Sequence, residues 1–198
     1  MNDPRFAIVV TLLACGCKRH EPSEGAKPPS PEEIPHTNGS IKVDGEWDEP
    51  DWSARALRGQ FRADDGQLAR PSSEARFLHD GSNLLIALYA ADENIETADA
   101  FDVTVGALQL HVDATGNVTP PIAGVHAAVG YDEGTRDNPN DEDEEWVVEL
   151  GIPLATVGLR AGVHQTLRSG RCDTPKDGVR RCGTWSGSLT LESSAPAP

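Results

Sequence analysis

Residues 84–91 read LLIALYAA, apolar on both alternating faces. A strand of that kind is a central strand, covered on both sides. Upstream, Ser73–His79 (SEARFLH) alternates weakly. The turn cluster His79-Asp80-Gly81-Ser82-Asn83 joins the two runs into a hairpin. Downstream, Ala107–Asp113 sets Leu108, Leu110 and Val112 on one face and Gln109, His111 and Asp113 on the other. Ala114-Thr115-Gly116-Asn117 then turns the chain. Gly124–Tyr131 is a further strand candidate, and Trp146–Ile152 alternates until Pro153 stops it. Val163–Leu167 and Gly183–Leu191 read as closing strands. Helix character is confined to one short patch around Pro153–Leu159. Many short strands separated by turn signals predict an all-β fold, an antiparallel, jelly-roll-like β-sandwich with at most one short helix, over residues 41–191.

The chain outside that domain has a different composition. Phe6 to Ala14 is an apolar run of nine residues, too short for a bilayer, which needs about 20. It matches the apolar region of a secretory signal. Leu12-Leu13-Ala14-Cys15 resembles the lipobox of bacterial lipoproteins. The resemblance implies that residues 1–14 are a signal peptide and that Cys15 is acylated, with Cys17 as the alternative. The mature protein is then exported and lipid-anchored in the cell envelope, at the outer membrane, on its periplasmic or surface side. Residues 15–40 carry five prolines and few apolar side chains, a lipidated, disordered tether. His20 and His36 lie in it and read as solvated. Residues 192–198 read as a frayed tail.

The chain carries a formal net charge of −15. Thirteen of its 17 Lys and Arg and 27 of its 32 Asp and Glu follow residue 40, leaving −14 on the domain. Such a surface repels phosphate backbones and argues against nucleic acid as a partner. The acidic run Asp141 to Glu145 lacks the glycine and the ligand spacing of a calcium loop and reads as solvated surface. No nucleophile elbow, phosphate-binding loop, HExxH or dinucleotide fingerprint occurs, so the expectation is a protein that is not an enzyme. Cys172 and Cys182 flank a stretch containing Pro175-Lys176-Asp177-Gly178, strong turn chemistry. In an oxidising compartment they are expected to form a disulfide, contributing about 2–3 kcal/mol in the chain-entropy model. A zinc site would need more ligands at closer spacing.

Residues 41–52 read IKVDGEWDEPDW, five carboxylates and two tryptophans in twelve positions. Ile41 to Glu46, Asp48-Glu49 and Trp52 resemble the opening of family 9 carbohydrate-binding modules. Ala75 to Asp80 and Leu84 to Asp92 resemble that family's next hairpin, Leu108–Asp113 its strand ending in Asp, Trp146–Pro153 its Glu-x-x-Ile-Pro element, and Arg171 to Trp185 its closing strands. The resemblance runs in order over about residues 41–190. It implies a non-catalytic β-sandwich that binds sugars, often at chain ends, by clamping a ring between two tryptophans; calcium is common in the family. This chain departs from the pattern at the clamp. Phe101 is the only aromatic where the family places one clamp tryptophan, and the family's Asp and Glu of the following strand fall at Gly106 and Gln109.

The candidate ligand-binding residues are therefore Trp185, Phe101, His111 and Glu149. His111 and Glu149 sit on the less apolar faces of their strands, where the competing reading is a solvated sheet face. Trp185, between small residues, either presents its face to a sugar or packs in the core. Trp52 reads as a packing residue that fixes the first strand to the sandwich, and Trp47 sits at a variable position of the motif. Metal ligands are not assigned beyond the calcium the resemblance implies. The leading reading is a carbohydrate-binding module on a lipid anchor, with a glycan or sugar chain end as partner. The alternative is an envelope lipoprotein whose sandwich docks another protein. A haem-binding role ranks third: the only methionine is Met1, so axial ligation would fall to histidine pairs.

Overall fold

The computed structural model describes residues 32–193, apart from 133, 139 and 142. The expected signal peptide, both candidate acylated cysteines Cys15 and Cys17, most of the expected tether and residues 194–198 lie outside the described residues. The strands are β1 (Glu33–Ile34), β2 (Leu57–Gln60), β3 (Ser73–His79), β4 (Asn83–Ala91), β5 (Ala100–Val105) and β6 (Leu108–Asp113). They continue with β7 (Val118–Thr119), β8 (His126–Asp132), β9 (Glu145–Pro153), β10 (Gln165–Asp173) and β11 (Arg181–Leu191). Two sheets form: β1-β11-β10-β5-β6-β7 and β2-β3-β4-β9-β8. Every pairing is antiparallel except that of β1 with β11. The fold is an all-β sandwich.

The core lies between the inner faces. Phe77 of β3, Ile86 and Leu88 of β4, and Trp146, Val148 and Leu150 of β9 meet Phe101, Val103, Leu110 and Val112 of the opposite sheet. Residues 84–91 are β4, hydrogen-bonded between β3 and β9. Their second apolar face is covered too, by the chain's own segment 41–56. Trp52, Leu78, Leu85 and Ala87 form a separate buried cluster there, with Ile41, Val43, Trp47 and Ala56 packed around it. The apolar double face of β4 thus has two distinct covers, the second sheet and a loop.

The structure corrects the expected element list in several places. Among the described residues there are two short helices, not one. α2 (Leu154–Val157) falls in the expected patch and ends on Gly158, whose φ of 63° suits the left-handed cap. α1 (Pro50–Ala54) lies inside the opening motif, with Pro50 in its first turn, where a missing N–H costs nothing, and Asp51 complementing the positive helix end. Second, the sandwich begins before residue 41. Ile34 is fully buried, Glu33 and Ile34 pair with Thr190 and Leu191, and Thr37 N–H donates to the His79 carbonyl at 2.8 Å. One buried side chain and a few backbone bonds outweigh the Pro-rich composition. Third, Glu192 belongs to the body, its N–H donating to the Ile34 carbonyl at 2.9 Å. Strand β5, unread as a strand in the sequence, joins β6 to β10.

Cys172 and Cys182 are bonded, as the turn chemistry between them led one to expect. They sit directly opposite each other in the β10–β11 register.

Trp52 is 1% exposed and seals the outer cluster. Trp52→Ala should lower unfolding stability by about 3–5 kcal/mol, read as a fall in the urea midpoint at unchanged m-value. An unchanged midpoint would refute the packing role.

Candidate functional site: the open face of the six-stranded sheet

The outer face of the six-stranded sheet is uncovered among the described residues, and strand register builds two polar rows across it. One row runs Thr119, His111, Asp102, Gly170, Thr184 over β7, β6, β5, β10 and β11. The next runs Gln109, Thr104, Arg168, Ser186. Gly170 has no side chain, so the first row dips at its centre. A groove of about 660 Å³ follows, lined by Asp102, Gln109, His111, Arg168 and Thr184 among others. Cross-strand pairing sets His111 Nδ1 2.9 Å from Asp102 Oδ1, both side chains half exposed or more. The groove presents a guanidinium, a carboxylate, an amide and an imidazole. These planar donors and acceptors suit vicinal hydroxyl groups. No Phe, Tyr or Trp is among its lining residues.

Of the four candidate ligand residues, only His111 lies on this face. Phe101 is fully buried, its ring 6.0 Å from Phe61 and 5.1 Å from Trp146. It sits one position off Asp102 in β5, so strand alternation turns it inward. Trp185 also turns inward. It packs on Phe77 at 4.6 Å and occupies the space a side chain at Gly59 would need. The two aromatics do not share a groove.

Glu149 faces the opposite side of the molecule, on the outer face of β9, and is fully buried beneath the opening motif. Asp44 and Gly45 N–H each donate to its Oε2 at 3.0 Å, and Trp52 Nε1 donates to Oε1 at 2.8 Å. Gly45, at φ 95°, lies against the β8 backbone, and a side chain there would strike Val129. Burial pushes the Glu149 carboxyl up to about 7, against the pull of its three donors. Trp47 stacks on Tyr89 at 5.3 Å with Arg76 over its ring at 3.8 Å, so it helps hold the same cover in place.

A second polar centre lies where β4, β9 and β10 meet. Arg171 Nη2 pairs with Asp92 Oδ2 at 2.8 Å and lies 3.4 Å from Asp173 Oδ1. Trp146 Nε1 donates to Asp92 Oδ2 at 3.1 Å. Ligand atoms of Asp92, Asp99 and Asp173 lie within 4.8 Å of one another. Three carboxylates face one guanidinium, and Asp173 Oδ2 is buried without a partner. Burial pushes Asp99 up to about 6 and raises Asp173 as well, with the charge of Asp92 adding to both. The donor set, all oxygen and in excess of positive charge, fits a hard divalent cation.

No family model matches the sequence, and no curated protein matches it. Solved structures do. A family 9 carbohydrate-binding module from Caldicellulosiruptor kristjanssonii in complex with cellotriose aligns with TM-score 0.58 at 14% identity, over 83% of this chain and 96% of that one. One from the same organism in complex with glucose aligns with TM-score 0.55 at 13% identity, over 84% and 99%. The fold is that of family 9 carbohydrate-binding modules.

Asp102, Arg168 and Thr184 are groove residues that sequence reasoning did not single out. The alternation of β10, with Leu167, Ser169, Arg171 and Asp173 buried and Arg168 exposed, carried the signal for Arg168. It was obscured because polar residues occupy both faces.

The Glu149 geometry has a pH consequence. The folded state holds this proton more tightly than the unfolded chain, whose carboxyl titrates near 4.5. Its contribution is therefore fully present below pH 4.5 and is lost as pH rises through about 7. Glu149→Gln should remove a slope worth up to about 3 kcal/mol across that window. Denaturation series on both proteins would show it as a difference that grows with pH. Parallel curves would mean that Glu149 does not titrate there.

Proposed function

We propose that this chain is a non-catalytic carbohydrate-binding module that holds a glycan or sugar chain end in the groove of the six-stranded sheet. The observation carrying this reading is the polar double row, Asp102, His111, Gln109 and Arg168, on a fold shared with modules in complex with cellotriose and glucose. Arg168 and His111 would donate to sugar hydroxyls while Asp102 orients the imidazole. A cation such as calcium at Asp92, Asp99 and Asp173 would neutralise the acidic centre and brace β10 from behind. Calorimetry with glucose, cellotriose and a glycan panel tests the reading. Arg168→Ala and His111→Ala should each weaken binding about tenfold, with unchanged melting temperature. A folded protein silent across the panel would overturn it.

A second reading is favoured by the missing aromatic. Without a stacking ring, the groove also suits side chains of a protein partner in the cell envelope, and the sandwich would serve as a docking scaffold. Both readings place the domain on a lipid anchor at Cys15, supported by the lipobox-like Leu12-Leu13-Ala14-Cys15. Expressed in a bacterium with a lipoprotein pathway, the chain should fractionate with membranes, and Cys15→Ser should release it. A variant that stays membrane-bound would shift the anchor to Cys17 or remove it.

A further inference from the structure

Strand β10 carries a glycine that its backbone does not require. Gly170 lies between Asp102 of β5 and Thr184 of β11 in the register, and its φ is outside the left-handed region. A glycine inside a strand gives up packing and marks a place where something approaches the backbone closely. Alternation sets Arg168, Gly170 and Cys172 on the outer face, with Leu167, Ser169, Arg171 and Asp173 buried behind them. Cys182 stands directly opposite Cys172, so the disulfide they form lies on the same face. The floor at Gly170 is therefore walled along β10 by Arg168 on one side and by the disulfide on the other. At about 3.3 Å per residue, the two walls rise from Cα atoms about 13 Å apart.

Across the strands the same floor is flanked by acceptors. Asp102, with His111 Nδ1 2.9 Å from its Oδ1, rises from β5. On the other side, Arg62 N–H donates to the Thr184 carbonyl at 2.8 Å and Thr184 N–H to the Arg62 carbonyl at 2.9 Å. That pairing carries the chain past the β11 edge and brings Asp64 to the rim of the groove. Two carboxylates against one guanidinium suit a ligand rich in hydroxyl donors and free of negative charge. The lining has no aromatic face. Val103 and Leu110 are buried, and Pro120 lies at the far end, beyond β7. The apolar wall beside Gly170 is the disulfide, with Cys182 exposed and Cys172 partly so. Its sulfurs are soft and polarisable and leave no N–H or O–H to satisfy. A pyranose ring has the complementary surface, a face of C–H groups within a rim of hydroxyls.

On the carbohydrate-module reading, we propose that the Cys172–Cys182 disulfide is the apolar wall of a one-ring subsite over Gly170. A neutral hexopyranose lays its C–H face against the disulfide while its hydroxyls reach Arg168, Asp102 and Asp64. The disulfide fills the role that the resemblance assigns to a clamp tryptophan, in a chain whose Phe101 and Trp185 are turned inward. A uronic acid is disfavoured, because its carboxylate would meet the charges of Asp64 and Asp102.

The test is calorimetry on the full chain with glucose, cellotriose and glucuronic acid, each variant checked for folding by its thermal melt. Glucose and cellotriose should bind, and glucuronic acid about tenfold more weakly than glucose or worse. Gly170→Val, whose β-carbon would come no nearer than 3.2 Å to Thr184 Cγ2, should fill the floor and abolish binding. Cys172→Ser with Cys182→Ser should weaken binding about tenfold, and Cys172→Val with Cys182→Val, apolar but unlinked, should rescue most of the loss. Serine and valine pairs that are equally weak would make the covalent link the determinant and overturn the proposal. So would a Gly170→Val chain that binds like wild type, or glucuronic acid bound as tightly as glucose. Each of these leaves the module reading standing, because the wild type still binds sugar. A folded wild type that binds neither neutral sugar overturns the subsite, and silence across the whole glycan panel overturns the module reading with it.

Discussion

One buried carboxylate organises the outer side of the five-stranded sheet. Glu149, in the middle of β9, accepts from Asp44 N–H, Gly45 N–H and Trp52 Nε1. A carboxyl group in an apolar setting is costly unless its oxygens are satisfied, and the three donors that satisfy Glu149 all come from segment 41–56. The loop that buries the carboxyl also supplies its donors, and those three bonds fix the register at which the loop lies across β9. Once the loop is there, Trp52 falls onto Leu78, Leu85 and Ala87. Removing the loop would strip Glu149 of its three donors and expose an apolar sheet face to water.

That cover makes the two outer faces unlike. On the five-stranded sheet, segment 41–56 buries the apolar face of β4. On the six-stranded sheet nothing among the described residues covers β5, β6 and β10. The outward positions there are Asp102, Thr104, Gln109, His111 and Arg168. The cover and the open groove are thus complementary outcomes of where the chain had apolar residues to hide. The aromatic residues follow the same rule. Phe101, Trp146 and Trp185 fill the space between the sheets, Trp52 and Trp47 seal the outer cluster, and none is left for the groove.

The acidic composition also divides by burial. Most carboxylates are solvated, but Asp92, Asp99 and Asp173 converge with Arg171 at the end of the sandwich. Asp173 is in β10, while Asp92 and Asp99 flank the crossover from β4 to β5. Sequence spacing of 7 and 74 residues gives no hint that they meet. The pairing of His36 with His79 is equally non-local. Both arrangements depend on backbone register, His36 opposite His79 and Phe101 opposite Arg171.

The sequence by itself determined the sandwich. Alternation in Ser73–His79, Leu108–Asp113 and Trp146–Ile152, the doubly apolar 84–91 run and the turn at Pro175–Gly178 are local patterns, and local patterns specify strands and hairpins. It could not assign Ile34 to the core, because a two-residue strand is recognised only by the partner it pairs with. Nor could it separate inward from outward polar residues. Glu149 and His111 look alike on their strands, yet one is sealed beneath a loop and the other stands open beside Asp102. Tertiary structure decided that difference, because which face of a strand meets water depends on what else the chain folds over it.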